Sequence, residues 1–170
     1  MNRCLLLCCC VVMTLGTVRA QTQGKDAPKS TASDIRQTFE AVNKEVLDMA
    51  KDFPEDKYDF KLKPEMRSFG DVIVHIASGN VYAAKRGKGE KVNWDELDPK
   101  NYKGKAAIVA MLEKSINDAA ATMKAASDAS FAKRAQPWLG VLEHSAEHYG
   151  LLVAYYRANG LVPPNSRPQK

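Results

Sequence analysis

Three histidines are the residues of this chain whose type and spacing can do chemistry. His75, His144 and His148 account for every histidine in the sequence. His144 and His148 lie four residues apart, so a helix places both side chains on one face, one above the other. Two histidines with that spacing can bind a divalent metal ion, and His75 supplies a third imidazole if its helix packs against the helix of His144 and His148.

A metal held by three histidines is our leading hypothesis for the site. Catalytic zinc sites commonly use three protein ligands and leave a fourth position for water or substrate. Zinc and nickel both suit imidazole ligands, and the sequence does not choose between them. The alternative is that each histidine is a core residue bonded to a carbonyl, or that the metal is structural in a non-catalytic protein.

Four segments show the apolar period of an amphipathic helix, and these must position the histidines. They are residues 33–51, 68–86, 105–126 and 137–160. Ser33 predicts the first N-cap, Ser68-x-x-Asp71 a capping box, and Pro137 the first residue of the fourth helix. Gly87 predicts the end of the second helix.

The remaining segments predict connections, and the fold class is therefore an all-α four-helix bundle with long connections. Residues 53–67 and 127–136 lack a sustained period, and no segment has the period of a strand. The connection from Gly87 to Gly104 is 18 residues long. It can run back along a neighbouring helix, which would let the second and third helices lie parallel.

The helical projection places all three imidazoles toward the interior. His75 shares its face with an apolar stripe, and the helix-four pair is flanked by apolar residues; these neighbours are Val72, Gly79, Tyr82, Pro137, Val141, Leu151 and Tyr155. A buried polar group without a partner costs about 1–3 kcal/mol, so leaving the three rings without partners would be costly. A divalent metal would satisfy all of them at once.

Three other residues are candidates for a catalytic role. Glu147 lies between the paired histidines, in a His-x-x-Glu-His string that matches an inverted zinc-protease motif. We reject the protease interpretation, because that motif needs a downstream carboxylate ligand and no Asp or Glu follows His148. Glu147 is otherwise a solvated carboxylate. Tyr82 and Tyr155 are pocket candidates, and core packing is their alternative role.

The N-terminus predicts export. Residues 1–20 have the short basic start, apolar run and small final residue of a signal peptide, with cleavage near Ala20. All four cysteines lie in that segment, and its apolar run is too short for a retained transmembrane helix. Residues 21–31 predict a flexible lead-in, 32–166 the domain and 167–170 a tail. Removal of Arg3 and Arg19 with the predicted signal peptide would lower the net charge from +5 to +3, which is mild, and no nucleic-acid-binding motif occurs.

Three stretches resemble the DinB-like superfamily of four-helix bundles. They are residues 67–77 around His75, the His144-x-x-x-His148-Tyr149-Gly150 string, and residues 156–166 with their Pro-Pro-x-Ser ending. The resemblance implies an up-down-down-up bundle with a divalent metal on His75, His144 and His148. Many members carry a Gly-Gln pair after the last ligand, whereas Leu151 follows Gly150 here.

The resemblance implies the reaction less closely than the site. Characterised relatives include transferases and isomerases that use mycothiol or bacillithiol, and others are regarded as metal-dependent hydrolases. Export disfavours the thiol-dependent variant, because such cofactors are made and kept reduced in the cytoplasm. We therefore expect a periplasmic or secreted hydrolase or transferase acting on a small molecule, without stable membrane insertion after cleavage. The alternative is a non-catalytic metal-binding or ligand-binding bundle, and we consider a homodimer as its oligomeric form.

Overall fold

Five α-helices form the fold in the computed structural model, which describes residues 31–168. They are α1 Thr31–Asp52, α2 Phe69–Gly87, α3 Gly104–Ala125, α4 Asp128–Lys133 and α5 Ala135–Ala158. The all-α prediction is confirmed. The predicted signal peptide, most of the lead-in and the last two residues of the tail lie outside the described residues. No helix within residues 31–168 is long and apolar enough to cross a membrane.

The four long helices enclose one hydrophobic core. α1 and α2 each pack against both α3 and α5. The largest fully buried side chains come from α1, α2, α3, α5 and the connection after α1: Phe39, Met49, Phe53, Phe69, Ile73, Ile76, Leu112, Met123, Trp138, Leu152, Tyr155 and Tyr156. Each large apolar side chain contributes about 1.5–3 kcal/mol when fully buried, so this core supports the domain without disulfides.

The start of α2 is set by local chemistry that the sequence predicts correctly. The Asp71 amide donates to the Ser68 hydroxyl at 3.2 Å, and the Ser68 amide donates to the Asp71 carboxylate at 3.3 Å. This capping box satisfies two amides that the first turn would otherwise leave unpaired. It fixes the beginning of α2 about two turns before His75.

Several predicted boundaries are wrong. The predicted connection 127–136 contains α4, because the Ser127 hydroxyl accepts the Ser130 amide and Phe131 is buried against the core. The fourth long helix starts at Ala135, so Pro137 lies in its first turn instead of at its first position. That turn has no intrahelical acceptors for its amides, and proline is tolerated there. Ser33 lies inside α1.

Gly87 ends α2 as predicted, yet its role differs from that of a left-handed helix stop. The positive φ of 89° belongs to Gly89. A Cβ at Gly87 would lie only 2.0 Å from the Cζ2 atom of Trp138. The missing side chain therefore allows the Trp138 ring of α5 to pack directly on the backbone of α2.

A polar contact crosses the centre of the core. The Asn80 amide group donates to Asn43 Oδ1 at 3.3 Å and to Ser115 Oγ at 3.2 Å. All three side chains are buried, and they come from α2, α1 and α3 respectively. Asn43 and Ser115 also donate to carbonyls of their own helices. The contact therefore joins three helices at one level.

Candidate metal centre

The three histidines converge where α2 packs against α5. His75 is supplied by α2, and His144 and His148 by α5. The Nε2 atom of His144 lies 3.0 Å from the Nε2 atom of His75. One ring nitrogen from each of the three residues lies within 4.8 Å of the others, and all three side chains are partly buried. The structure thus brings together the residues that the sequence pattern singled out.

Hydrogen bonds fix the tautomer that two of these rings adopt when neutral. His75 Nδ1 lies 2.8 Å from the Glu96 carboxylate, and His148 Nδ1 lies 2.9 Å from the backbone carbonyl of His144. Carboxylate and carbonyl oxygens accept hydrogen bonds, so each Nδ1 carries the proton. The Nε2 atoms of His75 and His148 therefore present lone pairs, which is the form of histidine that binds a metal.

The closest pair of ring nitrogens has a spacing that fits a divalent metal. Two nitrogens on one tetrahedral zinc, each at 2.0–2.1 Å, lie about 3.3 Å apart. The 3.0 Å separation of the His75 and His144 nitrogens is within a few tenths of an ångström of this value. His144 Nδ1 is buried without a hydrogen-bond partner in the described part of the chain. That nitrogen faces Gly79 and is not the His144 atom beside His75, so the fit to a metal rests on the spacing of the Nε2 atoms.

Electrostatics also favour neutral rings. Burial, together with the neighbouring His148 and His75, lowers the pKa of His144 to about 4. Burial lowers the pKa of His75 as well, against the opposing effect of the Glu96 carboxylate. Neutral imidazole is the ligating form, so the surroundings prepare these side chains for a cation.

Glu96 supports the cluster from the connection between α2 and α3. It accepts from His75 Nδ1, and it also receives the Arg67 guanidinium at 3.1 Å and 3.2 Å from its two oxygens. A carboxylate behind a ligating histidine orients the ring and raises its basicity. Sequence reasoning missed Glu96, because its connection has no period and the contact joins residues 21 positions apart.

Gly79 allows the His144 ring to approach the backbone of α2. A Cβ at Gly79 would lie 2.9 Å from His144 Nδ1 and 3.1 Å from Cε1. A glycine inside a helix costs about 0.8–1.0 kcal/mol relative to alanine, so its presence on the His75 face was a readable signal of close packing. The helical projection placed it there without assigning that role.

The three predicted catalytic candidates have different surroundings. Glu147 is exposed on α5. Tyr155 is fully buried, and its hydroxyl donates to the Arg67 carbonyl. Tyr82 is partly buried, and its ring centroid lies 5.5 Å from that of Trp94. Of the three, Tyr82 lines the cavity that includes His144, and their catalytic roles stay predictions.

That cavity opens beside His144. It has a volume of about 170 Å³ and is lined mainly by apolar groups of Gly79, Tyr82, Trp94, Gln136, Pro137, Gly140, Val141 and His144. The Trp94 ring centroid lies 5.8 Å from that of His75 and 6.0 Å from that of His144. The connection between α2 and α3 therefore supplies both Glu96 behind the cluster and an aromatic wall in front of it.

Comparison with known proteins identifies one family. A family model described as the DinB superfamily matches residues 38–156, which is more than half of the chain. The matched span extends from α1 into α5 and contains all three histidines. No curated protein matches this sequence.

Proposed function

The chain belongs to the DinB superfamily, and on that premise we propose that it is an exported metal-dependent hydrolase or transferase acting on a small molecule. The observation that carries the proposal is the 3.0 Å approach of the His144 and His75 nitrogens, with His148 completing the group. The proposed metal is zinc or nickel, held by His75, His144 and His148. Three protein ligands would leave a further coordination position for water or substrate.

The surrounding residues would each serve that chemistry. A divalent ion bound here would supply a Lewis acid that polarises a substrate oxygen and lowers the pKa of a coordinated water to about 7. Glu96 keeps the His75 proton on Nδ1, and the His144 carbonyl does the same for His148. Trp94 and Tyr82 line the apolar cavity beside His144, where they would orient a bound substrate.

A non-catalytic metal-binding or ligand-binding bundle is the second candidate, and one observation favours it. The Glu96 carboxylate accepts hydrogen bonds from the Arg67 guanidinium at both oxygens, and one of these oxygens also accepts from His75 Nδ1. Glu147 is exposed. Neither Glu96 nor Glu147 is therefore an unoccupied carboxylate beside the histidine nitrogens that could act as a general base. Turnover of simple esters and lactones by zinc-loaded but not metal-free protein would support catalysis, and metal binding without turnover would favour the alternative.

We also propose the up-down-down-up order for the four long helices. Gly70 of α2 lies beside Ile108 near the start of α3, and Asn80 bonds Ser115 farther along both helices. These contacts support a parallel α2 and α3. The Tyr156 hydroxyl donates to the Met49 carbonyl, so the ends of α1 and α5 lie together. A parallel α2–α3 pair is what the long connection between them would allow.

Metal analysis of the secreted protein tests the proposed site. Wild type should carry about one divalent ion per chain, and His75→Ala and His148→Ala should lose it. Glu147→Gln is the matched control, because this neighbouring side chain is exposed, and it should keep the metal. Full occupancy in both histidine variants would refute the site. Mass spectrometry tests export separately, and the secreted form should begin near residue 21.

A further inference from the structure

A group of cations lies near the candidate metal centre, and no described residue pairs with them. A cavity of about 210 Å³ is lined by Arg86 at the end of α2, Lys91 in the following connection, Lys133 at the end of α4, and Arg134 between α4 and α5. None of the four has an ion-pair partner within residues 31–168. Glu90 is the one acidic residue in the lining. The cavity therefore carries excess positive charge.

One of these arginines is held against the backbone. A Cβ at Gly89 would lie 2.9 Å from Arg134 Nη2 and 3.1 Å from Nε, so the guanidinium packs on the Gly89 main chain. Gly89 also has the positive φ of 89°, which disfavours other residues. A guanidinium presents planar paired donors that match a carboxylate or phosphate group. The Arg134 guanidinium is therefore partly positioned to donate paired hydrogen bonds to an anion.

The cationic cavity adjoins the apolar cavity at the histidines. Both are lined by Gln136 and Pro137, in the first turn of α5. His144 lines the apolar cavity from farther along the same helix. With a rise of 1.5 Å per residue, Gln136 and His144 are about 12 Å apart along the axis of α5. The two cavities together form a path from His144 toward the cations, along about 12 Å of α5.

We propose that this path binds an elongated organic anion, with its reacting group at the histidines, an apolar middle section against Trp94 and Val141, and its acidic group at Arg86 and Arg134. The proposal rests on the proposed function, because it names the substrate class of the same site. A ligand about 10–12 Å long would span the path. The apolar cavity of about 170 Å³ has room for a chain or ring of roughly six carbon atoms.

Two hydroxamates of matched length test the proposal on zinc-loaded protein. Suberic acid monohydroxamate carries a metal-binding group at one end and a carboxylate at the other, and octanohydroxamic acid lacks the carboxylate. By isothermal titration calorimetry at low ionic strength, the carboxylate should improve affinity about tenfold, and salt should reduce that advantage. Equal affinities for the two ligands would overturn the proposal.

Paired substitutions test whether Arg86 and Arg134 cause the preference for the ligand that carries a carboxylate. Arg86→Gln combined with Arg134→Gln should reduce the advantage of the carboxylate to within about twofold and leave octanohydroxamate binding unchanged. The control combines Arg157→Gln with Lys61→Gln, which removes the same charge from exposed positions outside both cavities. It should keep the tenfold preference. Loss of the preference in the control, or its retention in the arginine variant, would contradict the assignment.

A metal-independent measurement separates this inference from the proposed function. Octanoate and octanol can occupy the apolar and cationic cavities of metal-free protein without a metal-binding group. A preference for octanoate that disappears in the Arg86→Gln/Arg134→Gln protein supports the anion site even if metal analysis finds no metal. Absence of that preference overturns the anion site and leaves the metal proposal to its own test.

Discussion

The substitution Gly79→Ala should weaken metal binding without unfolding the protein, because it places a methyl group where the His144 ring lies. The added Cβ would be 2.9 Å from His144 Nδ1, 3.1 Å from Cε1 and 3.6 Å from the nearest Val141 methyl. Favourable contacts between such atoms lie at about 3.5–4.0 Å. The ring, or the whole of α5 at this level, must therefore move by about 0.5 Å.

The expected change in stability results from two opposing effects on folding. The expected change in zinc affinity results from displacement of the His144 ring. Alanine gains about 0.8–1.0 kcal/mol over glycine in a helix, and overpacking costs about 1–3 kcal/mol, so the metal-free protein should lose at most about 2 kcal/mol. A binding group must be held within about 0.5 Å of its productive position. Displacing the His144 ring by that distance should lower zinc affinity about 10- to 100-fold, which is about 1.4–2.7 kcal/mol.

Two assays separate these effects. Competition with a chromophoric chelator measures zinc affinity, and urea unfolding of metal-free protein measures stability. Gly150→Ala is the matched control, because Gly150 also lies within a helix and nothing surrounds the position of its added Cβ within 4 Å. It should bind zinc normally. Zinc affinity of the Gly79→Ala protein within twofold of wild type would refute the idea that this glycine positions His144.

Three further predictions concern the support of the site and of the fold. Glu96→Gln should lower zinc affinity about tenfold in the same chelator assay, because a neutral amide orients and polarises the α2 histidine less well than a carboxylate. Gly87→Ala should destabilise the protein by about 1–3 kcal/mol in urea unfolding, because its Cβ would lie 2.0 Å from the Trp138 ring. The Arg167 guanidinium holds the pKa of the Asp52 carboxyl below its usual value of 3.8. This ion pair therefore stabilises the fold above that pH and is lost as pH falls through the lowered pKa. The melting temperature of Asp52→Asn should be a few degrees below wild type at neutral pH, and the difference should vanish once the pH falls below the lowered pKa of Asp52.

Each of these predictions has an outcome that contradicts it. Unchanged zinc affinity in Glu96→Gln would show that the carboxylate does not support the metal ligand. Stability of Gly87→Ala equal to that of Gly150→Ala would mean that the bundle readily absorbs the clash. A difference in melting temperature between Asp52→Asn and wild type that persists in acid would assign the effect to packing of the side chain instead of its charge.

Local signals in the sequence were sufficient for much of the fold. The capping box of Ser68 and Asp71 satisfies backbone amides within one turn, so its meaning depends on no distant residue. The four-residue spacing of His144 and His148 is similarly local. A serine cap followed by an acidic residue indicates a helix start, and Ser127 and Asp128 form such a pair. The polar composition of residues 127–136 nevertheless favours a connection, and for this reason α4 is not predicted.

The parts of the site that escaped prediction depend on distant contacts. Trp94 and Glu96 lie in a connection without a period, and only the folded chain brings them to His75. Gly87 looked like a helix stop because glycine has that meaning locally, whereas its packing role depends on Trp138, which lies 51 positions later. The sequence shows the ligands, and the three-dimensional packing shows what surrounds them.

The contact among Asn43, Asn80 and Ser115 helps to align the histidines of the candidate metal centre. Asn80 lies five residues after His75 on α2. If α2 slid along its neighbours by one turn of about 5.4 Å, these buried polar groups would lose their partners at about 1–3 kcal/mol each. The apolar residues around them could repack more readily in the shifted position. The buried hydrogen bonds of Asn80 thus favour one axial position of α2, the position in which His75 lies at the level of His144 and His148.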